Sequence, residues 1–284
     1  MRDLTTTVAF LVNDGARRLR QAGVAEPRRE AIRLWAGTTN GNVADVALRG
    51  EQLVDGATET RYEQAIVRRS AGEPLAHVAG KIGFRKLELI SDARALIPRP
   101  ETEGLVELLL ERVRTGRIVD VGTGSGCIAL SLLQEGSFEE VVALDRSSAA
   151  LALAKLNCES TGLRPKLVQG DMCQPLRESV FNALVSNPPY LTEAEYRDLD
   201  PSVGEWEPEL ALIGGTDGMS ATRRLLDEGR DVLSPGGWLA LEVDCTRAAT
   251  TAAQASSLGW QDVSVHVDLF GRERYMLARR SKTR

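Results

Sequence analysis

Residues 117–145 constrain the fold of this chain more tightly than any other stretch. Arg117-Ile118-Val119-Asp120-Val121 is a short, largely apolar run of the kind that forms a buried strand. Gly122-Thr123-Gly124-Ser125-Gly126 follows without a break, and Cys127-Ile128-Ala129-Leu130-Ser131-Leu132-Leu133 then supplies the apolar face of a helix. A second run, Val141-Val142-Ala143-Leu144, ends in Asp145. Strand, helix and strand in this order make a βαβ unit, which implies a largely parallel sheet. The glycine-rich turn lets the backbone approach a ligand closely and presents the free N–H groups of a helix N-terminus to it. Asp145 follows Gly122 by 23 positions, near the separation of roughly 20 at which an acidic side chain meets a ribose hydroxyl pair. These features point to an adenosine-containing ligand. The spacing is G-x-G-x-G rather than the dinucleotide G-x-G-x-x-G, and no Lys-Ser/Thr pair completes a phosphate loop. NAD and ATP are poorer matches on both counts. Gly170-Asp171-Met172, after Lys166-Leu167-Val168, is suited to close the adenine side, although Asp171 also suits a turn or a helix cap.

A second motif carries chemistry. Phe181-Asn182-Ala183-Leu184-Val185 reads as another buried strand and leads into Asn187-Pro188-Pro189-Tyr190. Asn187 is thereby predicted at the C-terminal end of a strand, where open α/β sheets bind ligands. Each proline biases the residue before it away from the helical region and removes a backbone donor. What remains is a stiff corner with two acceptors, the Asn187 side-chain carbonyl and the Pro188 backbone carbonyl, beside an aromatic ring. Two acceptors can hold the two hydrogens of a primary amide or an amino group. A Pro-Pro pair can equally do no more than end a strand; here it stands beside the glycine loop and Asp145.

Taken together, these residues resemble the class I S-adenosylmethionine-dependent methyltransferases, and more narrowly the bacterial peptide chain release factor glutamine N5-methyltransferases. The resemblance runs from about residue 73 to residue 277. It includes Gly72-Glu73-Pro74-Leu75-Ala76-His77, Ile97-Pro98-Arg99-Pro100-Glu101-Thr102-Glu103, the Asp120-to-Gly126 loop and Ser186-Asn187-Pro188-Pro189-Tyr190. It continues through Glu207-Pro208-Glu209-Leu210-Ala211-Leu212, Gly215-Thr216-Asp217-Gly218, Leu233-Ser234-Pro235-Gly236-Gly237 and Gly271-Arg272-Glu273-Arg274. The resemblance implies a Rossmann-like α/β domain with a mostly parallel seven-stranded sheet. It implies that Asp120, Gly122, Thr123, Gly124, Ser125 and Gly126 line S-adenosylmethionine, that Asp145 takes its ribose, and that Asp171 and Met172 flank its adenine. Asn187, Pro188, Pro189 and Tyr190 would hold the acceptor glutamine, with Asn187 also beside the cofactor and S-adenosylhomocysteine as product. The implied partner is a release factor carrying its glutamine in a GGQ motif. Amino methylation of a nucleic-acid base, or of a glutamine in a ribosomal protein, is the alternative that the same tetrapeptide permits. The chain departs from the family at Met172, where an aromatic residue is usual, at Glu242-Val243-Asp244 for Glu-x-Gly, at Arg247 near an expected Gln, and at Phe84-Arg85-Lys86 for Phe-x-Gly.

Composition removes other classes. A net charge of −5 over 284 residues argues against a protein whose affinity comes chiefly from neutralising phosphates. Basic pairs such as Arg17-Arg18 and Arg68-Arg69 read as solvated helix faces. Four cysteines without C-x-x-C spacing and two histidines, His77 and His266, argue against a structural metal site, a disulfide framework or a His-dependent hydrolase. No apolar stretch approaches the roughly 18 residues of a membrane helix, and the N-terminus lacks a secretory pattern. A cytoplasmic monomer without nucleic-acid or membrane partners is expected.

Residues 1–72 are predicted to be a helical substrate-recognition domain. Leu4, Val8, Leu11, Ala16 and Leu19 share a face, Pro27 opens a segment that can bury Ile32, Leu34 and Trp35, and a third run covers 60–69. Residues 73–97 are predicted as a β-hairpin linker, with short strands over 77–97, and 98–284 as the methyltransferase domain. The long Pro- and Gly-bearing insertion 191–220 has the character of a lid. Arg99 and Glu101 can close the pocket from the linker side, but an intradomain salt bridge is the expected role.

Overall fold

The structure, a computed structural model, describes residues 6–176 and 180–282. It divides into two compact units, one running to Ile82 and including Asp200–Trp206, the other comprising Gly83–Leu199 and Glu207 onward.

The first unit is helical: α1 (Val8–Gln21), α2 (Pro27–Thr39), α3 (Ala44–Leu48), α4 (Gly56–Ser70) and α5 (Leu75–Ala79). Local chemistry sets the helix starts. The Thr7 hydroxyl accepts the Phe10 N–H, Pro27 occupies the first turn of α2, and the Asp55 carboxylate accepts the Ala57 and Thr58 N–H groups. Val8, Leu11, Ala16 and Leu19 are buried as one face, while Leu4 lies outside the described residues. Trp35 of α2 meets Tyr62 of α4 edge to face, with centroids 5.4 Å apart. The Tyr62 hydroxyl donates to the Ala31 carbonyl at 3.2 Å, which satisfies its one buried polar group.

The boundary differs from the sequence expectation. Helix α5 occupies part of the range expected as strand, because Pro74 precedes its first turn and Gly80, in the left-handed region at φ 73°, ends it. Leu75, Val78 and Ala79 pack on the helical core, so this unit continues to Ile82. The hairpin of β1 (Lys81–Phe84) and β2 (Leu87–Ile90) follows, and the division between the units falls after Ile82, within β1.

The second unit adds α6 (Pro100–Arg112), β3 (Thr115–Val121), α7 (Cys127–Glu135), β4 (Ser137–Asp145), α8 (Ser148–Thr161), β5 (Lys166–Gln169), β6 (Phe181–Ser186) and α9 (Glu193–Arg197). Beyond α10 (Pro201–Gly204), which groups with the first unit, come a 3-10 turn (Glu209–Ala211), α11 (Ser220–Val232), β7 (Leu233–Glu242), α12 (Ala248–Ser257), β8 (Gln261–Val267) and β9 (Glu273–Arg279). The expected seven-stranded sheet is present in the order β5-β4-β3-β6-β7-β9-β8, with β9 antiparallel to both its neighbours and the other pairs parallel. The C-terminal halves of β3, β4, β6 and β7 are buried and largely apolar, as expected where helices cover both faces of such a sheet. Val119, Leu184, Leu225, Leu241, Trp260 and Met276 meet in one core. From β3 the chain winds outward to β5, then crosses back to place β6 on the other edge of β3. That reversal opens a crevice beyond the C-terminal ends of β3 and β6. No described helix is long and apolar enough to cross a membrane.

Gly15 allows α1 and α4 to approach: a Cβ there would lie 2.5 Å from the Tyr62 hydroxyl oxygen and 2.9 Å from Ile66 Cδ1. Gly15→Val should therefore destabilise the chain by about 1–3 kcal/mol, the usual scale of overpacking. The test is denaturant unfolding followed by circular dichroism; an unchanged midpoint would contradict this account of the helix contact.

Candidate active site

The glycine loop is shaped by three backbone angles. Gly122, Gly124 and Gly126 have φ of 76°, 55° and 85°, a region that side chains disfavour. Gly122 and Thr123 donate their N–H groups to the Leu144 carbonyl at 2.8 and 2.9 Å, tying the turn to the end of β4. Gly124 N–H and Ser147 N–H go to the two oxygens of Asp145, at 2.9 and 2.8 Å. A carboxylate has about four lone-pair directions, so Asp145 retains capacity for further donors. Asp145, Gly122, Thr123, Gly124 and Ser125 line a cavity of about 280 Å³.

Asp120 and Gly126, expected along the cofactor, do not line it. Asp120 is fully buried under the loop, where one oxygen accepts the Thr123 hydroxyl at 2.6 Å and the Ala129 N–H at 3.2 Å. Burial raises its carboxyl to about 7 against the pull of those two bonds. Gly126 is the turn that lets α7 begin. Both shape the wall from behind. Cys127 does line the cavity, but burial pushes its thiol up to about 12, so it is no nucleophile at neutral pH.

Asp171 and Met172 are in the wall. Met172 takes a positive φ of 50°, and Asp171 pairs with Arg224 at 2.7 Å, which itself holds Glu228. At the end of β6, Asn187 and Pro189 face the cavity, whereas Pro188 is buried and Tyr190 half-buried outside the set of lining residues. The Asn187 amide nitrogen donates to Thr102 Oγ1 at 3.1 Å. Burial lifts the Tyr190 hydroxyl to about 12.

The insertion after the tetrapeptide folds back on it. Leu191 N–H donates to the Leu212 carbonyl, and Gly214 N–H returns to the Leu191 carbonyl, at 2.9 and 2.8 Å. Pro208, Leu210, Ala211, Ile213 and Gly214 thereby join the wall. A Cβ on Gly214 would stand 2.4 Å from the Pro189 carbonyl, which is why a glycine sits there. Glu207, with its side chain 1 % exposed, accepts the Ile97 N–H at 3.0 Å and the Arg99 guanidinium at 2.5 Å. Arg99 thus forms an intradomain salt bridge, with Glu207 as its partner, and also lines the cavity, whereas Glu101 does not.

The chain is similar to known proteins over most of its length. A family model described as Methyltransferase small domain matches residues 100–199, and one described as PrmC N-terminal domain matches residues 11–80. The chain is 42% identical to the release factor glutamine methyltransferase of Deinococcus radiodurans, over 95% of this chain and 98% of that protein. It is 39% identical to the protein of the same description from Moorella thermoacetica, over 96% and 99% of the two chains. The chain belongs to the release factor glutamine methyltransferase family. A solved methyltransferase from Pyrococcus furiosus shares the fold at 19% identity and a TM-score of 0.54, over 78% of this chain and 99% of that one.

Within this methyltransferase, the departures from the family pattern have structural partners. Arg247 holds both Glu195 oxygens at 2.8 Å and the Asp217 carbonyl at 3.0 Å, joining both ends of the insertion to the start of α12. Arg85, at φ 50° in the hairpin turn, binds Glu135 and Glu107. Sequence reasoning missed two organising residues. Glu207 and Ile97-Arg99 each lie in recognised motifs, yet nothing local links positions 110 apart. Asn157, fully buried on α8, donates to the Ser125 and Ile90 carbonyls and accepts the Ile90 N–H at 2.7 Å. A polar residue on an otherwise apolar helix face was its available signal.

The Glu207 arrangement orders two substitutions. Glu207→Gln keeps an acceptor for Ile97 but loses the charge, while Glu207→Ala orphans both donors and should cost about 1–3 kcal/mol, more than the glutamine variant. Denaturant midpoints measure both; equal values for the two would contradict the clasp.

Proposed function

We propose that this methyltransferase moves the methyl group of S-adenosylmethionine to the side-chain amide nitrogen (N5) of a glutamine in a peptide chain release factor. The observation that carries the reading is the convergence on one cavity of the Gly122–Ser125 loop, Asp145 and the Asn187 corner. The names of the relatives, release factor glutamine methyltransferases over nearly their whole length, support the acceptor.

The residues fit the cofactor. Asp145 has lone pairs to spare at the wall, and the positive-φ glycines Gly122 and Gly124 leave backbone close to the cavity. Asp145 would hold the ribose hydroxyls, Gly122 to Ser125 the methionine side, and Asp171 with Met172 the adenine side. When bound, S-adenosylmethionine supplies an electrophilic sulfonium methyl.

The chain's own task is the acceptor. An amide nitrogen is a poor nucleophile because its lone pair is delocalised into the carbonyl. Asn187 Oδ1 and the Pro188 carbonyl, which takes no hydrogen bond from a described residue, would accept the two N–H hydrogens. That orients the lone pair toward the methyl and favours partial loss of conjugation. In-line positioning of this kind contributes at most roughly 7–11 kcal/mol. Once alkylated, the nitrogen is strongly acidic and loses one proton to water, so no strong base is needed beside it. Tyr190, protonated at neutral pH, supplies no base and stands outside the cavity lining.

The test is radiolabelled methyl transfer to a release factor, to its variant with the GGQ glutamine changed to alanine, to ribosomal proteins and to DNA or RNA. Label on the factor and none on its variant is the expected result; label confined to nucleic acid or ribosomal protein would overturn the reading. Asp145→Ala should weaken S-adenosylmethionine binding by about 1.5–3 kcal/mol, the scale of hydrogen bonds to a charged group. Asn187→Ala should lower kcat with cofactor affinity near the parent's. Calorimetry reads both affinities, and the opposite pattern would reverse the two assignments.

A further inference from the structure

The Asn187 amide can be seated two ways, and its oxygen is useful to an acceptor glutamine in one of them. We propose that Thr102 and Glu242 are positioning residues that fix this amide with its oxygen toward the acceptor nitrogen. The inference rests on the amide-methylation reading and deepens it.

Three residues from three elements form one directed relay. Asn187 Nδ2 donates to Thr102 Oγ1 at 3.1 Å, and Thr102 Oγ1 donates to Glu242 Oε2 at 2.7 Å. Thr102 lies in the first turn of α6 and Glu242 ends β7. Parallel pairing sets Ser186 opposite Leu241, so Asn187 and Glu242 are the next residues along both strands. Thr102 is 2 % exposed and Glu242 1 % exposed, which keeps water from substituting for either. A hydroxyl has one hydrogen. With that hydrogen committed to Glu242, Thr102 offers Asn187 lone pairs alone, and only the NH₂ end of the amide can face it. A reversed amide would set oxygen against oxygen in a buried site.

The direction depends on Glu242 being ionised. Arg274 and Tyr275 on β9, Arg99 and Glu101 at the start of α6, Tyr190 after β6 and Cys127 on α7 surround it electrostatically. Burial outweighs the Thr102 hydrogen bond and Arg274, and lifts its carboxyl to about 7. The carboxylate form can only accept, so it holds the relay in one direction. The protonated form can donate to Thr102, which frees the hydroxyl hydrogen to turn toward Asn187 and admits the reversed amide. Turnover should therefore rise with pH as Glu242 loses its proton.

The experiment compares the parent with T102S, T102V and E242Q across the neutral range. It measures kcat and KM for the release factor, affinity for S-adenosylhomocysteine, and folding by circular dichroism. T102V should lower kcat by about 100-fold, the scale of a misplaced reacting group, with KM and cofactor affinity near the parent's, and should abolish the rising limb. T102S should restore both, and E242Q should remove the limb. A T102V enzyme with parental kcat and an intact limb would overturn the proposal. Should T102V not fold, E242Q decides: an E242Q enzyme with parental kcat across the whole pH range overturns the proposal. A parent that leaves the release factor unlabelled would bring down the amide reading and this relay with it, whereas a labelling parent with indifferent variants brings down the relay alone.

Discussion

Everything at the site hangs on β3 being paired in parallel on both of its edges. Val121 stands opposite Leu144 on one side and Asp120 opposite Val185 on the other. That register delivers Asp145 and Asn187 to the same end of the sheet, at either flank of the glycine turn. Ser186 adds a side-chain bond to the Val121 carbonyl at 2.6 Å, which extends the pairing to the residue before Asn187. Because side chains alternate along a strand, a slip of one residue would turn both groups away from the cavity. The buried apolar strands exclude such a slip, so core packing and site geometry are one constraint.

Around that fixed edge, charged side chains do the closing. Glu207 clasps Ile97 and Arg99, Arg247 gathers Glu195 and the Asp217 carbonyl, and Arg224 holds Asp171. Each joins segments far apart in sequence. Pairs this exposed contribute little to net stability when counted singly. The Glu207 carboxylate differs because its own side chain is sealed from solvent and it also satisfies a backbone donor. The insertion thus reaches the cavity as an ordered strap with its own backbone bonds to the tetrapeptide's exit.

Much of this was legible in the sequence where a residue type has few physical options. Three glycines at alternate positions implied a backbone that side chains disfavour, and all three have positive φ. The apolar runs gave β3, β4, β5 and β6, with ends displaced by a few residues in β3 and β4. Burial direction was less accessible. Asp120 and Gly126 belong to the loop motif yet stand behind the wall, since a motif fixes spacing and not which side faces the ligand. Helix α5 was misread because a short apolar segment has no periodicity long enough to separate helix from strand. The Glu207 clasp and the Thr102–Glu242 bond were out of reach because the sheet alone brings those positions together.

The central claim is that this corner holds an amide by two acceptors. A crystal structure with S-adenosylhomocysteine and a glutamine-bearing peptide of the release factor tests it most directly. The account requires the glutamine nitrogen at about 2.9 Å from both Asn187 Oδ1 and the Pro188 carbonyl oxygen. A glutamine whose nitrogen contacts neither oxygen, or whose carbonyl accepts from Asn187 Nδ2, would contradict it.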